Sequence, residues 1–329
     1  MTQRKTKIAT IGAATQDVFL LGNALKAKRD VRTHEFVEQF PLGSKLELEQ
    51  VIFSTGGGAT NAAVTFARHG FEASFLGKVG DDPAGQHVVQ ELKAEGVLTD
   101  NLACDIEETT GYSTLLLAPR GERTVLVYRG VSEQLSAADF YHFAKLKADW
   151  IYISSLGGNF PLLESVVEFA KTHGIKLAIN PGSAELKQPQ RLLDVLPNFS
   201  ILSVNKEESQ LLVDGRSIRD RVRQLADVAA IAVVTDGARG SYACDGAQLY
   251  KAGMYKDVPI MDRTGAGDAF TSGFVATVAH GESIEAALTF ASANSTSVVQ
   301  SVGAKTGILD SGSNVDRMPI EVTNINHKE

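Results

Sequence analysis

The chain has 329 residues, 43% hydrophobic and 22% charged, an ordinary globular composition with room for one large α/β domain or two small ones. Its 32 Lys and Arg against 39 Asp and Glu give a net charge of −7, which argues against a dedicated nucleic-acid surface and requires any bound polyanion to be held locally. Cys104 and Cys244 form no CxxC pair, the seven histidines lack HExxH spacing, and no apolar run approaches the length of a membrane span; a cytoplasmic protein without a zinc site is expected.

Residues 8–12 read as a buried strand ending at glycine, and the polar Gln16 and Asp17 that follow favour a first strand over a signal peptide. A carboxylate at the carboxyl end of a central strand is placed where open α/β sheets bind ligands. Asp17 therefore suits two adjacent sugar hydroxyls, or is a loop acid in water. Residues 34–53 alternate through Phe36, Phe40, Leu46, Leu48, Val51 and Phe53 around a Pro41-Leu42-Gly43 turn, as extended strands do. They are too polar on one face for the inside of a parallel sheet, so a small β lid is expected beside the main domain. The glycines at 56–58 break this pattern, and a helix follows with Ala62, Ala63, Phe66 and Ala67 on one face, ending at Gly70.

Beyond Gly70, strands and helices alternate. Strands are predicted over 71–79, 150–154, 176–180, 201–204 and 231–235, with two short ones within 241–250. Helices are predicted over 83–95, 160–172, 188–196, 206–213, 216–228, 266–280 and 283–300. A hairpin of 113–118 and 123–129 turns across Pro119-Arg120-Gly121. Such an order means βαβ units and a mostly parallel sheet. The polar tail from Ser311 is expected to be poorly ordered.

The stretch DRTGAGDAF at 262–270 sets Gly265, Ala266 and Gly267 directly before Asp268 and an apolar helical run. Small residues at a helix start leave backbone N–H groups uncovered, and with the helix dipole they can hold a phosphate. An acid there repels phosphate unless it has work such as taking a proton from an attacking hydroxyl. A glycine turn with a capping acid is the alternative reading. At a helix N-terminus the acid is expected to be a weak base at neutral pH.

Other segments carry similar pairs of readings. Three glycines before Asn61 let the backbone approach a ligand and offer it an amide suited to a polyol, or form a flexible turn. Asn205 and Glu208 share one face of a helix start; they order waters around Mg²⁺ near phosphate, or form an N-cap with its capping-box glutamate. The 235–240 segment TDGARG offers donors and a hydroxyl to a nucleotide, or is a tight connection. Residues 291–295 with Gly303 and Ala304 line an adenine slot, or pack a helix closely. Neither GxxxxGK[ST] nor a complete GxGxxG occurs, which disfavours a P-loop enzyme and a dinucleotide dehydrogenase.

Taken in order, Asp17, GGGATN (56–61), GKVGDD (77–82), NPGS (180–183), NKEE (205–208), TDGARG (235–240) and DRTGAGDAF (262–270) resemble the ribokinase (PfkB) carbohydrate kinase family over about residues 8–307. The resemblance implies a single ribokinase-like domain over 1–329: a three-layer α/β/α fold with a mostly parallel central sheet and a small β-sheet lid, the lid formed by segments about 18–55 and 111–131. It implies transfer of the γ-phosphate of ATP, with Mg²⁺, to a hydroxyl of a sugar or sugar-like small molecule. Asp268 is then the general base, and Gly265, Ala266 and Gly267 form the anion hole. Asp17, Gly57, Gly58 and Asn61 hold the substrate. Asn205 and Glu208 belong to the metal and phosphate network, Glu208 reaching Mg²⁺ through water. Thr235, Gly237, Gly240 and Asn294 lie around the nucleotide, and Asp262 and Thr264 match two positions of a K⁺ site. Pairing through the lid implies a homodimer, with no nucleic-acid or membrane partner.

Two departures bear on the acceptor. Gly58 stands where ribokinases carry the lysine of GGKGAN, and Ser154 stands where they tend to have a glutamate. Family nucleoside kinases also use small residues after the glycine pair, and their lids offer aromatics for stacking. Phe36, Phe40 and Phe53 would serve that purpose, or lid packing, or dimer contacts. A nucleoside kinase is therefore the alternative to a sugar kinase. A non-catalytic sensor is the second alternative, disfavoured by intact Asp268, Asn205 and Glu208.

Overall fold

A computed structural model of the chain describes residues 4–118, 123–140 and 145–325. Its centre is a nine-stranded sheet in the order Ile320–Asn324, Gln248–Ala252, Ser241–Cys244, Ile231–Thr235, Ile201–Asn205, Lys176–Ile179, Trp150–Ile153, Lys7–Ile11, Glu72–Leu76. From Ile231–Thr235 to Glu72–Leu76 all neighbours pair in parallel; the three strands at the other edge are antiparallel. Successive side chains of a strand point to opposite faces, and here both faces are buried. Ile8, Trp150, Tyr152, Ile201 and Val233 enter one core layer, with Phe66, Phe274 and Leu288 from the helices Gly58–Arg68, Ala266–Ala279 and Ile284–Val298. Ile11, Ile151, Ile153, Leu202 and Val234 enter the other, with Phe160, Leu192, Leu212 and Leu225 from the helices Phe160–His173, Pro189–Val195, Lys206–Leu212 and Ile218–Ala226. Helices on both faces of a largely parallel sheet form the expected three-layer α/β/α arrangement.

A second sheet, of four strands in the order Arg123–Tyr128, Gly111–Leu117, Thr15–Leu21, Gln50–Gly56, grows from the carboxyl edge of the first. Phe19, Leu115 and Leu117 form a small core on one side of it, with Ile52 and Val302 packed against them. Asp82, in the GKVGDD motif, ties the root of this sheet to the main domain. One carboxylate oxygen accepts the Gly85 amide (2.7 Å) and the Thr110 hydroxyl (2.8 Å), and the other accepts the Thr110 amide (2.7 Å). The same aspartate caps the Pro83–Ala94 helix.

Three expectations are corrected. The extended run over 34–53 is strand only at Phe36–Val37, paired with Lys28–Arg29, and again from Gln50; the alternating Leu46 and Leu48 find no partner strand. The single strand over 71–79 is split at Gly77, where a Cβ would sit 2.2 Å from the Phe75 ring and 2.7 Å from the Gly12 carbonyl. Glu72–Leu76 stays in the main sheet, while Lys78–Gly80 leaves it to pair with Ala103–Asp105, a strand that sequence reasoning missed. In the polar tail, Ile320–Asn324 adds an ordered edge strand to Gln248–Ala252, because the backbone groups of an unpaired edge take a partner with little help from side chains. The Pro119-Arg120-Gly121 turn lies outside the described residues, although the strands that flank it pair as a hairpin.

Phe66 sits edge-on to Phe71 (6.1 Å between ring centroids) and to Tyr152 (5.6 Å), and it is fully buried where the Gly58–Arg68 helix meets the sheet. Phe66→Ala is expected to cost about 3–5 kcal/mol, measured as a shift in the urea midpoint at unchanged slope.

Candidate active site

Two glycine-led helices meet at their N-termini. Gly265 caps the Ala266–Ala279 helix in the left-handed region (φ 76), and a Cβ there would lie 2.4 Å from Ala304 Cβ, so only glycine fits. The first backbone bond of the helix runs from the Ala269 amide to the Gly265 carbonyl (2.8 Å). Among the described residues the Gly267 and Asp268 amides have no acceptor, which leaves an anion-binding end. Gly57 caps the Gly58–Arg68 helix at φ 98, where a Cβ would meet the Ala13 carbonyl at 2.2 Å. One turn in, the Asn61 amide nitrogen donates to Asp268 Oδ2 (2.7 Å). A Cβ on Gly58 would lie 2.3 Å from Ser154 Oγ and 3.0 Å from Asp268 Oδ1, so the absence of a side chain keeps the space beside Asp268 Oδ1 open.

The carboxyl ends of four adjacent parallel strands supply the facing wall. Ser154 and Asn180 each follow directly on their strands, Trp150–Ile153 and Lys176–Ile179, while Asn205 and Thr235 close theirs in register with each other. Asn205 and Glu208 form the capping box that the spacing allows. The Glu208 amide donates to Asn205 Oδ1 (2.8 Å), and the Asn205 amide donates to Glu208 Oε2 (2.7 Å). A cleft of about 290 Å³ brings Asn180, Asn205, Glu208, Thr235, Gly265, Gly267 and Asp268 together, and Arg123 from the small sheet and Arg263 also reach it. Arg123 Nε is buried with no hydrogen-bond partner among the described residues.

A larger cleft of about 610 Å³ shares Thr235, Arg263 and Gly267 with the first. Gly237, Gly240 and Ala266 line it, with Met254, Val258, Ile260, Phe270 and Val299 as an apolar surface. It combines an apolar slot for a flat group with backbone donors at one end.

Burial raises the Asp268 carboxyl above the usual carboxylate range; the Asn61 amide and the Lys305 ammonium offset this only in part. Loss of hydration thus works against the helix terminus, which is expected to make Asp268 a weak base. Asp17 is also raised by burial, against the opposing effects of Lys305, Thr15 and Ser113. It lies on strand Thr15–Leu21, accepts the Thr15 hydroxyl (3.0 Å) and packs on Gly56, where a Cβ would fall within 2.0 Å of its Oδ2. Glu208 is raised by burial as well, with the Asn205 amide opposing and the charges of Glu207 and Asp268 adding to the rise.

Asp262 and Thr264 lie together. Asp262 is fully buried; its Oδ1 accepts the Thr264 amide (3.0 Å) and hydroxyl (2.8 Å), and its Oδ2 accepts the Gly303 amide (3.1 Å). Asn294 does not reach either cleft. Its side chain is fully buried, donating to the Ala269 carbonyl (2.8 Å) and accepting the Leu309 amide (2.8 Å), so it locks a helix pair, while its neighbours Ser295 and Thr296 line the larger cleft. Sequence reasoning missed Arg123, Arg263 and Lys305. Arg263 lies inside the DRTGAGDAF motif and was within reach; Arg123 and Lys305 carry no local signal.

Residues 16–311 match the family described as pfkB family carbohydrate kinase. The chain is 30% identical over 258 residues to the ribokinase of Bacillus subtilis (strain 168), across 77% of this chain and 84% of that one. It is 31% identical over 234 residues to the fructokinase of Vibrio alginolyticus, across 67% and 75% respectively. Its fold is similar to a solved structure of a putative ribokinase II from E. coli (TM-score 0.77, 19% identity, 92% of this chain and 96% of that one). It is also similar to the nucleoside kinase of Burkholderia thailandensis solved with inosine (TM-score 0.75, 17% identity, 92% and 95%).

The raised Asp268 carboxyl has a consequence for stability. A group whose folded pKa lies above its unfolded value contributes stability that is present below the unfolded pKa, about 4 for Asp, and is lost as pH rises through the folded pKa. Asp268→Asn removes that loss while its amide oxygen can still accept the Asn61 hydrogen bond. The variant is expected to melt above the wild type at neutral pH, with the gap narrowing as pH falls toward 4. Thermal melts across that range measure it.

Proposed function

Because this chain belongs to the pfkB family of carbohydrate kinases, phosphotransferases with an alcohol acceptor, we propose that it moves the γ-phosphate of ATP to a hydroxyl of a sugar or sugar-like substrate with Asp268 as general base. The observation that carries this reading is the Asn61–Asp268 hydrogen bond (2.7 Å) beside the open space at Gly58. It fixes Asp268 Oδ2 and, among the described residues, leaves Oδ1 without a protein donor, where an acceptor hydroxyl would sit. As the hydroxyl oxygen attacks the γ-phosphorus, its proton passes to Asp268, and burial makes that carboxylate a better proton acceptor than an exposed aspartate. The Gly265, Ala266 and Gly267 backbone would take the charge on the transferred group, and the transition state is loose enough that positioning and charge matter most.

Asp17, Gly57, Gly58 and Asn61 would hold the acceptor, with Thr235, Gly237 and Gly240 around the nucleotide and the larger cleft taking its base. Mg²⁺, when bound, would supply positive charge to offset that of the phosphates. Asn205 and Glu208 would order its waters, since Glu208 Oε2 is committed to the Asn205 amide and Oε1 is not. Among the described residues no three His, Cys, Asp or Glu side chains gather around a metal site, which fits an ion held chiefly by phosphate and water. For K⁺, Asp262 and Thr264 offer the hard oxygen donors such an ion needs.

In this reading residues 1–329 are one domain whose segments 18–55 and 111–131 close as a lid, with Arg123 as the lid's cation in the cleft. Val51, Phe53, Leu126 and Val127 on the small sheet are 45–64% exposed, an apolar surface suited to a second copy in a homodimer. No described helix is long and apolar enough to cross a membrane, and a cytoplasmic setting suits an ATP-dependent enzyme. A nucleoside acceptor is the second reading, supported by the side-chain-free Gly58 next to Ser154 and by the exposed Phe53.

Asp268→Asn is expected to lower kcat by about 10²–10⁴-fold while ATP and acceptor still bind by calorimetry; near-wild-type turnover in that variant removes Asp268 as the base. ADP release measured across pentoses, hexoses, sugar phosphates and nucleosides, with and without K⁺, separates the two acceptor classes. Release that requires an acceptor also excludes a non-catalytic sensor.

A further inference from the structure

Lys305 is a buried lysine, 2% exposed, that the reaction as derived above does not use. Its ammonium donates to the carbonyl and the hydroxyl of Thr55, both at 2.6 Å. Thr55 stands in strand Gln50–Gly56 between Ser54, which is opposite Asp17 in register, and Gly56, which packs on the Asp17 carboxylate. Two residues before Lys305, the Gly303 amide is held by Asp262; one residue before it, Ala304 rests on Gly265 at the head of the Asp268 helix. The ammonium thus stands next to the glycine that packs on the Asp17 carboxylate, and the turn that carries it rests on the glycine at the head of the Asp268 helix.

Both of its hydrogen bonds go to neutral oxygens, and among the described residues no carboxylate lies within ion-pair distance of it. A charge buried without a contact partner is costly unless longer-range charges balance it. Burial works against the ammonium, and the charges that support it are Glu91 on helix Pro83–Ala94, then Asp17 on strand Thr15–Leu21, Asp268 on helix Ala266–Ala279, and Glu95 just after the Glu91 helix. Glu95 is already paired with Arg68 (2.7 Å), whose guanidinium also donates to the Lys305 carbonyl (3.2 Å), and the charge of Asp262 adds a little to the rise of Asp17. Among the described residues neither the buried Asp17 nor the half-buried Asp268 has a cation in contact.

We propose that Lys305 is a positioning residue that keeps Asp17 and Asp268 ionised together, one buried ammonium balancing the buried Asp17 carboxylate and the half-buried Asp268 carboxylate. The inference rests on the site reading above for its purpose, although the charge coupling itself can be measured with no acceptor or nucleotide present. It also accounts for a lysine in an otherwise small and apolar Gly303-Ala304 turn.

The test is a carboxyl ¹³C NMR titration of aspartate-labelled protein, wild type against Lys305→Met and Lys305→Arg, with Asp17→Asn and Asp268→Asn used to assign the two signals. Lys305→Met is expected to raise both midpoints by about one pH unit or more, and Lys305→Arg, which keeps the charge, to leave them near the wild type. Midpoints that stay put in a folded Lys305→Met protein overturn the inference. Should that variant not fold, the ¹⁵Nζ shift of Lys305 in the wild type decides: an ammonium at pH 7 is required, and a neutral amine overturns it. A failure here leaves Asp268 as base untouched, because that role stands or falls on the turnover of Asp268→Asn.

Discussion

Everything at this site depends on how two helix N-termini are brought within hydrogen-bonding distance. The 2.7 Å contact between Asn61 and Asp268 joins residues 207 apart in sequence and needs close backbone approach on both sides. The glycines provide that approach. Gly57 leans on the Ala13 carbonyl and Gly265 on Ala304, and a side chain at either position would displace that helix start from the segment it packs on. Further along, the Ser272 hydroxyl meets the Thr65 hydroxyl at 2.8 Å, so the two helices stay in register for more than a turn. The cost is concentrated in one place. The Asp268 carboxylate is held where water cannot solvate it well, and its raised proton affinity is the result.

The sheet does the complementary half of the construction. Its parallel strands end at a common edge, so residues far apart in sequence (Ser154, Asn180, Asn205, Thr235) share one wall without a contact of their own being required. Register rather than side-chain chemistry places them, and this is why a ligand edge in such sheets tolerates changes of residue type. The alternating apolar residues of each strand fill the two core layers, while the cleft takes the strand ends: Asn180 just past one, Ser203, Val204 and Asn205 from the next, and Thr235 from a third.

Much of this was legible in the sequence because the signals were local. Alternating strands and helices gave the layers, and glycines before Asn61 and Asp268 marked the two helix starts. Asn205 and Glu208 admitted a capping reading and a ligand reading, and the structure realises the cap while leaving Glu208 on the cleft wall, so the two were never exclusive. What was not legible depends on distant partners. Asn294 looked like a cleft residue, yet its amide is consumed by Ala269 and Leu309. The break at Gly77 depends on the Phe75 ring and the Gly12 carbonyl, and the edge strand Ile320–Asn324 depends on an unpaired neighbour. Lys305 sits in a segment whose flanking residues say nothing about Thr55, 250 positions away.

The Asp82 clip has a mechanical consequence. By fastening Thr110 to the start of a main-domain helix, one carboxylate sets the fulcrum of the small sheet at the base of strand Gly111–Leu117. Arg123 pairs with Leu117, at the opposite end of that strand. At about 3.3 Å per residue it stands roughly 20 Å from the fulcrum, so a swing of about 10° would sweep its guanidinium by roughly 3.5 Å. A sheet pivoting there would move little near its root beside Asp17 and most at the arginine, by about the length of one hydrogen bond.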